Sequence, residues 1–176
     1  MARFVSSMNV SLDGYVDHDR MVPDAEVFRH WIEAVKRTPN SLYGRKTYDL
    51  MRYWEPDQPD WGDAEREFAA AWRAQKKWVV SQTLTEVGPN ATLIASDIEA
   101  TVRSLKDRLP GQVDVSGTIL VQSLADWGLM DEYQLVLHPV ALGFGKPFFA
   151  GPRPPMQLSG SDRIGAKVIR LTYTLG

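Results

Sequence analysis

Cysteine is absent from all 176 residues. That removes disulfides, thiol nucleophiles and thiolate zinc sites together, and it fits a reducing interior. Histidine occurs only three times, as His18, His30 and His138, in unrelated segments without metal-ligand spacing. Asp17-His18-Asp19 reads as a solvated turn, and no metal is expected. Neither charge sign dominates: 20 Lys and Arg stand against 22 Asp and Glu, with no basic block. Nucleic acid and an acidic membrane surface are therefore poor candidates for the main partner. No apolar run is long enough to span a bilayer. Met1-Ala2-Arg3-Phe4-Val5 enters a strand at once, so no signal or transit peptide is expected, and the expected place is the cytoplasm. A GxGxxG fingerprint, a P-loop and a nucleophile elbow are missing as well.

What remains is an ordinary globular composition, 44% hydrophobic and 24% charged, enough for one domain over residues 1–176. Arg3 to Val10 reads as a strand, followed by an Asp13-Gly14 turn. Pro23-Asp24 opens a helix with Asp24 as N-cap and Val27, Phe28, Trp31, Ile32 and Val35 as its buried stripe. Ser41-Leu42-Tyr43 is a short strand leading into a helix through Tyr48 and Met51. Asp63 is read as the cap of a third helix with Phe68, Ala71 and Trp72 inward. Lys77 to Val80 and Thr92 to Ala95 are further strands, and Ser96 with Glu99 has capping-box spacing. Gln112 to Ser116 is a strand that turns at Gly117 into a helix carrying Ile119, Leu120, Leu124 and Trp127. Glu132 to His138 alternates. Gly143 to Pro147 reads as a loop. Met156 to Leu158 and Lys167 to Leu175 read as hairpin arms around a polar connection, Ser159 to Arg163. The βαβα beginning and antiparallel end predict an α/β fold: one mixed sheet, parallel in its centre with an antiparallel C-terminal hairpin, flanked by helices.

Ligands of open α/β sheets bind beyond the carboxyl ends of the strands. Three strands here end in small polar or glycine-rich turns: Gly44-Arg45-Lys46-Thr47, Ser81-Gln82-Thr83 and Ser116-Gly117-Thr118. As parallel neighbours they would share one edge and offer two cations, several hydroxyls, one amide and two helix starts. Arg45 and Lys46 oppose the dipole of the helix they begin, which costs stability unless an anion sits there. That inventory fits a dinucleotide, and the extra positive charge favours a 2′-phosphate. Asp13 has two readings: it orients a substrate or relays a proton, or it simply forms the turn.

Laid side by side, these segments resemble the dihydrofolate-reductase-like superfamily, and more closely the C-terminal reductase domain of the bifunctional riboflavin-pathway enzyme, RibD. Val10 to Gly14, Leu42 to Tyr48, Val79 to Leu84, Val115 to Thr118, Leu129 to Glu132 and His138 to Phe149 carry the likeness in one order. The resemblance implies an NADPH-dependent oxidoreductase, like 5-amino-6-(5-phosphoribosylamino)uracil reductase or dihydrofolate reductase. By position, Gly44, Arg45, Lys46 and Thr47 would hold the phosphate region. Ser81, Gln82 and Thr83 would lie near the 2′-phosphate, and Ser116, Gly117, Thr118 and Ile119 near the pyrophosphate. The Ser11 to Gly14 loop would border the nicotinamide, with Asp13 the candidate catalytic group and Asn9, Ser11 and Trp54 the candidate substrate contacts. A homodimer, through the C-terminal strands, is implied too. The chain departs from dihydrofolate reductases in having Gly117-Thr118 for a glycine pair and apolar inward positions on the first helix where a pterin-binding acid would stand. The alternative reading is a non-catalytic NADP(H)-binding dimer acting as sensor or scaffold.

Overall fold

The computed structural model describes residues 1–175. In chain order they form β1 (Arg3–Ser11), β2 (Tyr15–Val16), α1 (Ala25–Arg37), β3 (Asn40–Gly44), α2 (Arg45–Met51), a 3₁₀ turn (Arg52–Trp54), α3 (Asp63–Ala74), β4 (Lys76–Val80), β5 (Ala91–Ile94), α4 (Ile98–Arg108), β6 (Gln112–Ser116), α5 (Thr118–Asp126), β7 (Glu132–His138), β8 (Lys146–Pro147), β9 (Met156–Ile164) and β10 (Val168–Leu175). Eight strands make one sheet in the order β5-β4-β3-β6-β1-β7-β10-β9. The pairings from β5 through β7 are parallel, and β10 runs antiparallel to both β7 and β9. The mixed sheet expected from the pattern is present.

Period-two alternation gives each strand two uses. Phe4 and Val10 of β1, Leu42 of β3 and Val113 and Val115 of β6 enter an outer core with Val102 and Leu105 of α4 and Leu120, Val121 and Leu124 of α5. Tyr43 of β3 and Val79 of β4 face the other way, against Ile32 of α1, Tyr48 of α2 and Phe68 and Trp72 of α3. Val136 of β7 joins Val27 of α1 on that same inner face. Helix α1 begins as its sequence requires: the Asp24 carboxylate accepts from the Val27 amide at 3.0 Å.

Several local expectations are corrected. Helix α3 is capped by Gly62, whose amide donates to Glu65 at 3.1 Å, so Asp63 is the first helical residue. Its third inward position is Ala69 rather than Ala71. Helix α4 is capped by Asp97 in the left-handed region, at φ 46°, and no capping box forms at Ser96. Glu99 instead accepts from Arg103, one turn on, at 2.7 Å. Ser159 to Arg163 is no connection but the body of β9, an edge strand wet on both faces; the chain turns at residues 165–167. Within the segment read as a loop, Lys146 and Pro147 pair with Val16 and Tyr15 in a two-residue ladder.

Candidate active site at the carboxyl edge of the sheet

The registers Tyr43↔Ser116 and Gly44↔Val80 bring the ends of β6, β3 and β4 level, so the three turns lie side by side. The β3 and β6 turns touch. Gly117 has φ 119°, and a Cβ there would lie 3.3 Å from the Gly44 nitrogen and 3.3 Å from the Thr47 hydroxyl oxygen. Only glycine fits that crossing without displacing backbone. The β3 and β4 turns are tied by Arg45, which donates to the Thr83 hydroxyl at 3.2 Å. Ser81 is buried and spends its hydroxyl on the amides of Thr83 and Leu84, at 3.2 and 3.0 Å, so it shapes the turn from within. Gln82 and Thr83 are the exposed members.

This part of the rim holds spare bonding capacity. The Lys46 and Thr47 side chains make no hydrogen bond or ion pair among the described residues. The first intrahelical bond of α5 runs from Val121 to Gly117, which leaves the amides of Thr118, Ile119 and Leu120 without helical acceptors. Thr118 is buried, and its hydroxyl oxygen has no partner. The Ile119 side chain corrects the sequence reading: it is 66% exposed, because α5 starts at Thr118 and turns Leu120, Val121 and Leu124 inward. Lys146 is a cation the sequence reading passed over. Its ammonium is pushed below the ordinary lysine range by desolvation first and then by the charge of Lys46, so the two lysines oppose one another across the rim.

The ends of β1 and β7 are built differently. Asp13 accepts from the Ser11 hydroxyl at 2.6 Å, the Leu142 amide at 3.0 Å and the Gly143 amide at 2.7 Å. These donors, the Ser11 hydroxyl foremost, lower its pKa to about 2. A carboxylate so held is ionised at neutral pH and has both oxygens engaged. The geometry gives Asp13 the task of binding the β1 turn to the 140s loop, and it is unsuited to relay a proton. Asn9 accepts from the Trp31 indole at 3.1 Å and lies 2.9 Å from His138 Nε2, which donates in the tautomer that suits an amide oxygen. Burial pushes His138 below its ordinary range, against the opposing charge of Asp24, so the ring is neutral at pH 7. Ser11 is buried; besides bonding Asp13 its hydroxyl accepts from Tyr15 at 2.9 Å. Trp54 stacks among Phe28, Trp61 and Phe68, with centroids 6.3, 5.1 and 4.6 Å away, and belongs to the aromatic packing beneath α1.

Between these regions, half-exposed polar side chains line the inner face of the central strands: Ser7 and Asn9 of β1, Asp114 of β6 and Gln134 of β7. Asp114 accepts from the Ser116 hydroxyl at 2.8 Å, and desolvation raises its pKa to about 6. Sequence reading missed Asp114, Trp31 and His138 as site members. A carboxylate in the middle of a central parallel strand was the available clue. A cleft of about 320 Å³ lies elsewhere, on the outer face, between β4, β5 and α4, and contains none of these residues.

The profile of the RibD C-terminal domain matches residues 3–170. The uncharacterised protein YyaP of Bacillus subtilis (strain 168) is 29% identical over 181 residues, across 97% of this chain and 94% of YyaP. A putative riboflavin biosynthesis protein from Shewanella sp. PV-4 has a similar structure, with TM-score 0.71 at 21% identity over 99% of this chain and 98% of that one. RibD from Acinetobacter baumannii matches with TM-score 0.68 at 13% identity, over 99% of this chain and 58% of RibD. The diaminohydroxyphosphoribosylaminopyrimidine deaminase/5-amino-6-(5-phosphoribosylamino)uracil reductase of Thermotoga maritima matches with TM-score 0.66 at 15% identity, over 98% of this chain and 56% of its own. This chain thus spans little more than half the length of these last two neighbours. The fold is that of the RibD-type, dihydrofolate-reductase-like proteins.

Proposed function

Because this chain belongs to the RibD C-terminal domain family, we propose that it is a stand-alone NADPH-dependent reductase acting on a small polar heterocycle of the ribosylaminopyrimidine kind. The observation that carries the reading is the crossing of Gly44 and Gly117, with free helix amides and the unpartnered Thr118 hydroxyl beside it. That is a cradle for a diphosphate, held by backbone N–H groups where a side chain would block approach. Gly44, Thr47, Gly117, Thr118 and Ile119 would hold the diphosphate. Arg45, Gln82 and Thr83 would meet the 2′-phosphate, with Lys46 and Lys146 adding positive charge to the same rim. Bound there, the cofactor supplies hydride from its nicotinamide ring.

The chain's own residues supply position and protons. The acceptor would rest over Ser7, Asn9, Asp114 and Gln134, beside the Trp31 indole. A neutral His138 bonded to Asn9 fixes which atoms of that floor donate and which accept. Leu158 and Ile169, 57% and 42% exposed on one face of the outer hairpin, make that hairpin the proposed contact between two copies. Sedimentation at the mass of a single chain would remove that part of the proposal.

The reading is tested by titrating the protein with NADPH and with NADH, and by following loss of the nicotinamide absorbance with 5-amino-6-(5-phosphoribosylamino)uracil. Preferential NADPH binding and its oxidation are expected. Binding without oxidation across a panel of imines and carbonyls would favour a sensor or scaffold; no binding would defeat both readings.

A further inference from the structure

We infer that Asp114 and Ser116 together store and deliver the proton that the reduction consumes, an inference resting on the reductase reading above. Hydride addition to a C=N or C=O carbon leaves charge on the heteroatom, and a group near that atom must supply one proton. Strand β6 brings the pair to the place. Gln112, Asp114 and Ser116 alternate onto the inner face while Val113 and Val115 enter the outer core. Ser116 ends the strand immediately before Gly117, where the cradle lies. Asp114 sits two residues deeper, between its register partners Ser41 of β3 and Val5 of β1.

A carboxyl group in this position is costly unless it has a use. No lysine or arginine forms an ion pair with Asp114 among the described residues. The titratable groups on the same inner face are Tyr43 of β3, raised by burial first and by the Asp114 charge; Lys77 of β4, whose ammonium is bonded to the carbonyls of Arg73 and Gln75; Glu132 and His138 of β7, beyond β1; and Arg170 and Asp162 of the outer hairpin, paired with each other. Glu132 is already paired with Arg3 at 3.5 Å, and the ring of His138 is neutral. The helices α1, α2 and α3 turn apolar and aromatic side chains toward this face, among them Trp31, Ile32, Tyr48, Phe68 and Trp72, none of them a cation. Nothing facing Asp114 holds it ionised except the Ser116 hydroxyl. Its affinity for a proton, raised to about 6 by desolvation, suits a group that gives the proton up and recovers it near neutrality.

The transfer balances. The acceptor heteroatom takes the Ser116 hydroxyl proton as its carbon receives hydride. Ser116 recovers a proton from Asp114 across the 2.8 Å contact, and the carboxylate left behind is reprotonated from water. Asp13 cannot take this part because its carboxylate holds its proton only below about pH 2. Asp114 acts through Ser116 and is therefore a positioning and storage group.

The test uses the full chain and two variants, Asp114→Asn and Ser116→Ala. Without cofactor, 13C NMR of labelled aspartate carboxyls should show one group titrating near pH 6, absent in Asp114→Asn and shifted upward in Ser116→Ala, which loses the donor to the ionised form. With NADPH and 5-amino-6-(5-phosphoribosylamino)uracil, wild-type kcat should fall as pH rises through about 6. Asp114→Asn should be about 10²-fold slower at about pH 5.5, with a flat profile. Its NADPH Kd should stay within about twofold, and Ser116→Ala should lose the same pH dependence. An Asp114→Asn enzyme that keeps the wild-type profile, or a carboxyl that titrates at the ordinary aspartate value, overturns the inference while leaving the reductase standing. A wild-type protein that binds no NADPH overturns the reductase reading and this inference with it.

Discussion

The two halves of the rim are opposites. At the ends of β3, β4 and β6, cations, hydroxyls and helix amides stand with few partners, and two backbones nearly touch at Gly44 and Gly117. At the ends of β1 and β7, the polar atoms of Asp13, Ser11, Asn9 and His138 are engaged with one another or with the 140s loop. Spare capacity suits a ligand that brings its own charge and forms many bonds on arrival. A satisfied network suits a ligand that must be oriented, since its donors and acceptors are fixed beforehand. The first half is thus the proposed cofactor side, and the second the acceptor side.

The contrast is broken most severely at Gly117. In Gly117→Val a branched side chain would sit at φ 119° with its Cβ 3.3 Å from the Gly44 nitrogen. The strain should cost ~2–3 kcal/mol in urea unfolding and raise the NADPH Kd by roughly 30-fold or more. Gly111→Ala is the control: its φ is 70°, but nothing lies within 4 Å of the added carbon. It should cost about 1 kcal/mol of strain and leave NADPH binding unchanged. Equal effects on binding would mean that the Gly117 result reports global instability rather than a blocked cradle.

Asp114 lies where the two halves meet and sharpens the contrast through stability. Its folded pKa of about 6 is above the unfolded value of 3.8, so the folded state binds the proton more tightly. The benefit is complete below about pH 4 and is lost as pH rises toward and through 6. A shift of about two units is worth roughly 3 kcal/mol, and partial contact with solvent lowers the expectation to ~2 kcal/mol. Asp114→Asn, which cannot ionise, should therefore be ~2 kcal/mol more stable than wild type at about pH 7.5 and about equal near pH 4. Destabilisation at both pH values would mean that the folded protein holds the carboxylate through partners other than Ser116.

Arg45→Ala carries a smaller effect confined to one half. Losing a charge-assisted contact to a 2′-phosphate should weaken NADPH about tenfold and leave NADH within about twofold. The Arg45–Thr83 tie is exposed, so folding stability should hardly change. Parallel loss for both cofactors would remove the 2′-phosphate from this residue.

The half proposed for the cofactor was legible as a set of turns because its features are local. A short apolar strand, a glycine and a helix start appear within about ten residues of sequence at both Gly44 and Gly117, and adjacent parallel strands bring them together. Asp24 and the α1 stripe were legible for the same reason. The other half, proposed for the acceptor, is made of contacts across long separations: Asn9 meets His138, and Asp13 meets Leu142 and Gly143, some 130 positions away. No periodicity encodes such pairs. Asp114 stood in a strand that reads as apolar, and only its neighbours in the sheet show how little else surrounds its charge. Ser159 to Arg163 concealed a strand because an edge strand exposed on both faces has no alternation to display.

The smallest expected effect tests whether the acceptor half is fixed in advance. Asp13→Asn keeps the shape of the side chain but replaces one carboxylate oxygen with an amide that cannot accept. One of the amides of Leu142 and Gly143, now bonded at 3.0 and 2.7 Å, must then lose its partner or turn toward water. Asp13 is fully exposed, so global unfolding should barely shift, while hydrogen exchange at those two amides should quicken by about tenfold. The ladder of Tyr15 and Val16 with Pro147 and Lys146 shares that loop and should loosen with it. If kcat falls while the NADPH Kd stays constant, the loop orients the acceptor and the division between the halves holds. If the Kd rises instead, the 140s loop also seats the cofactor through Lys146, and the two halves form one site.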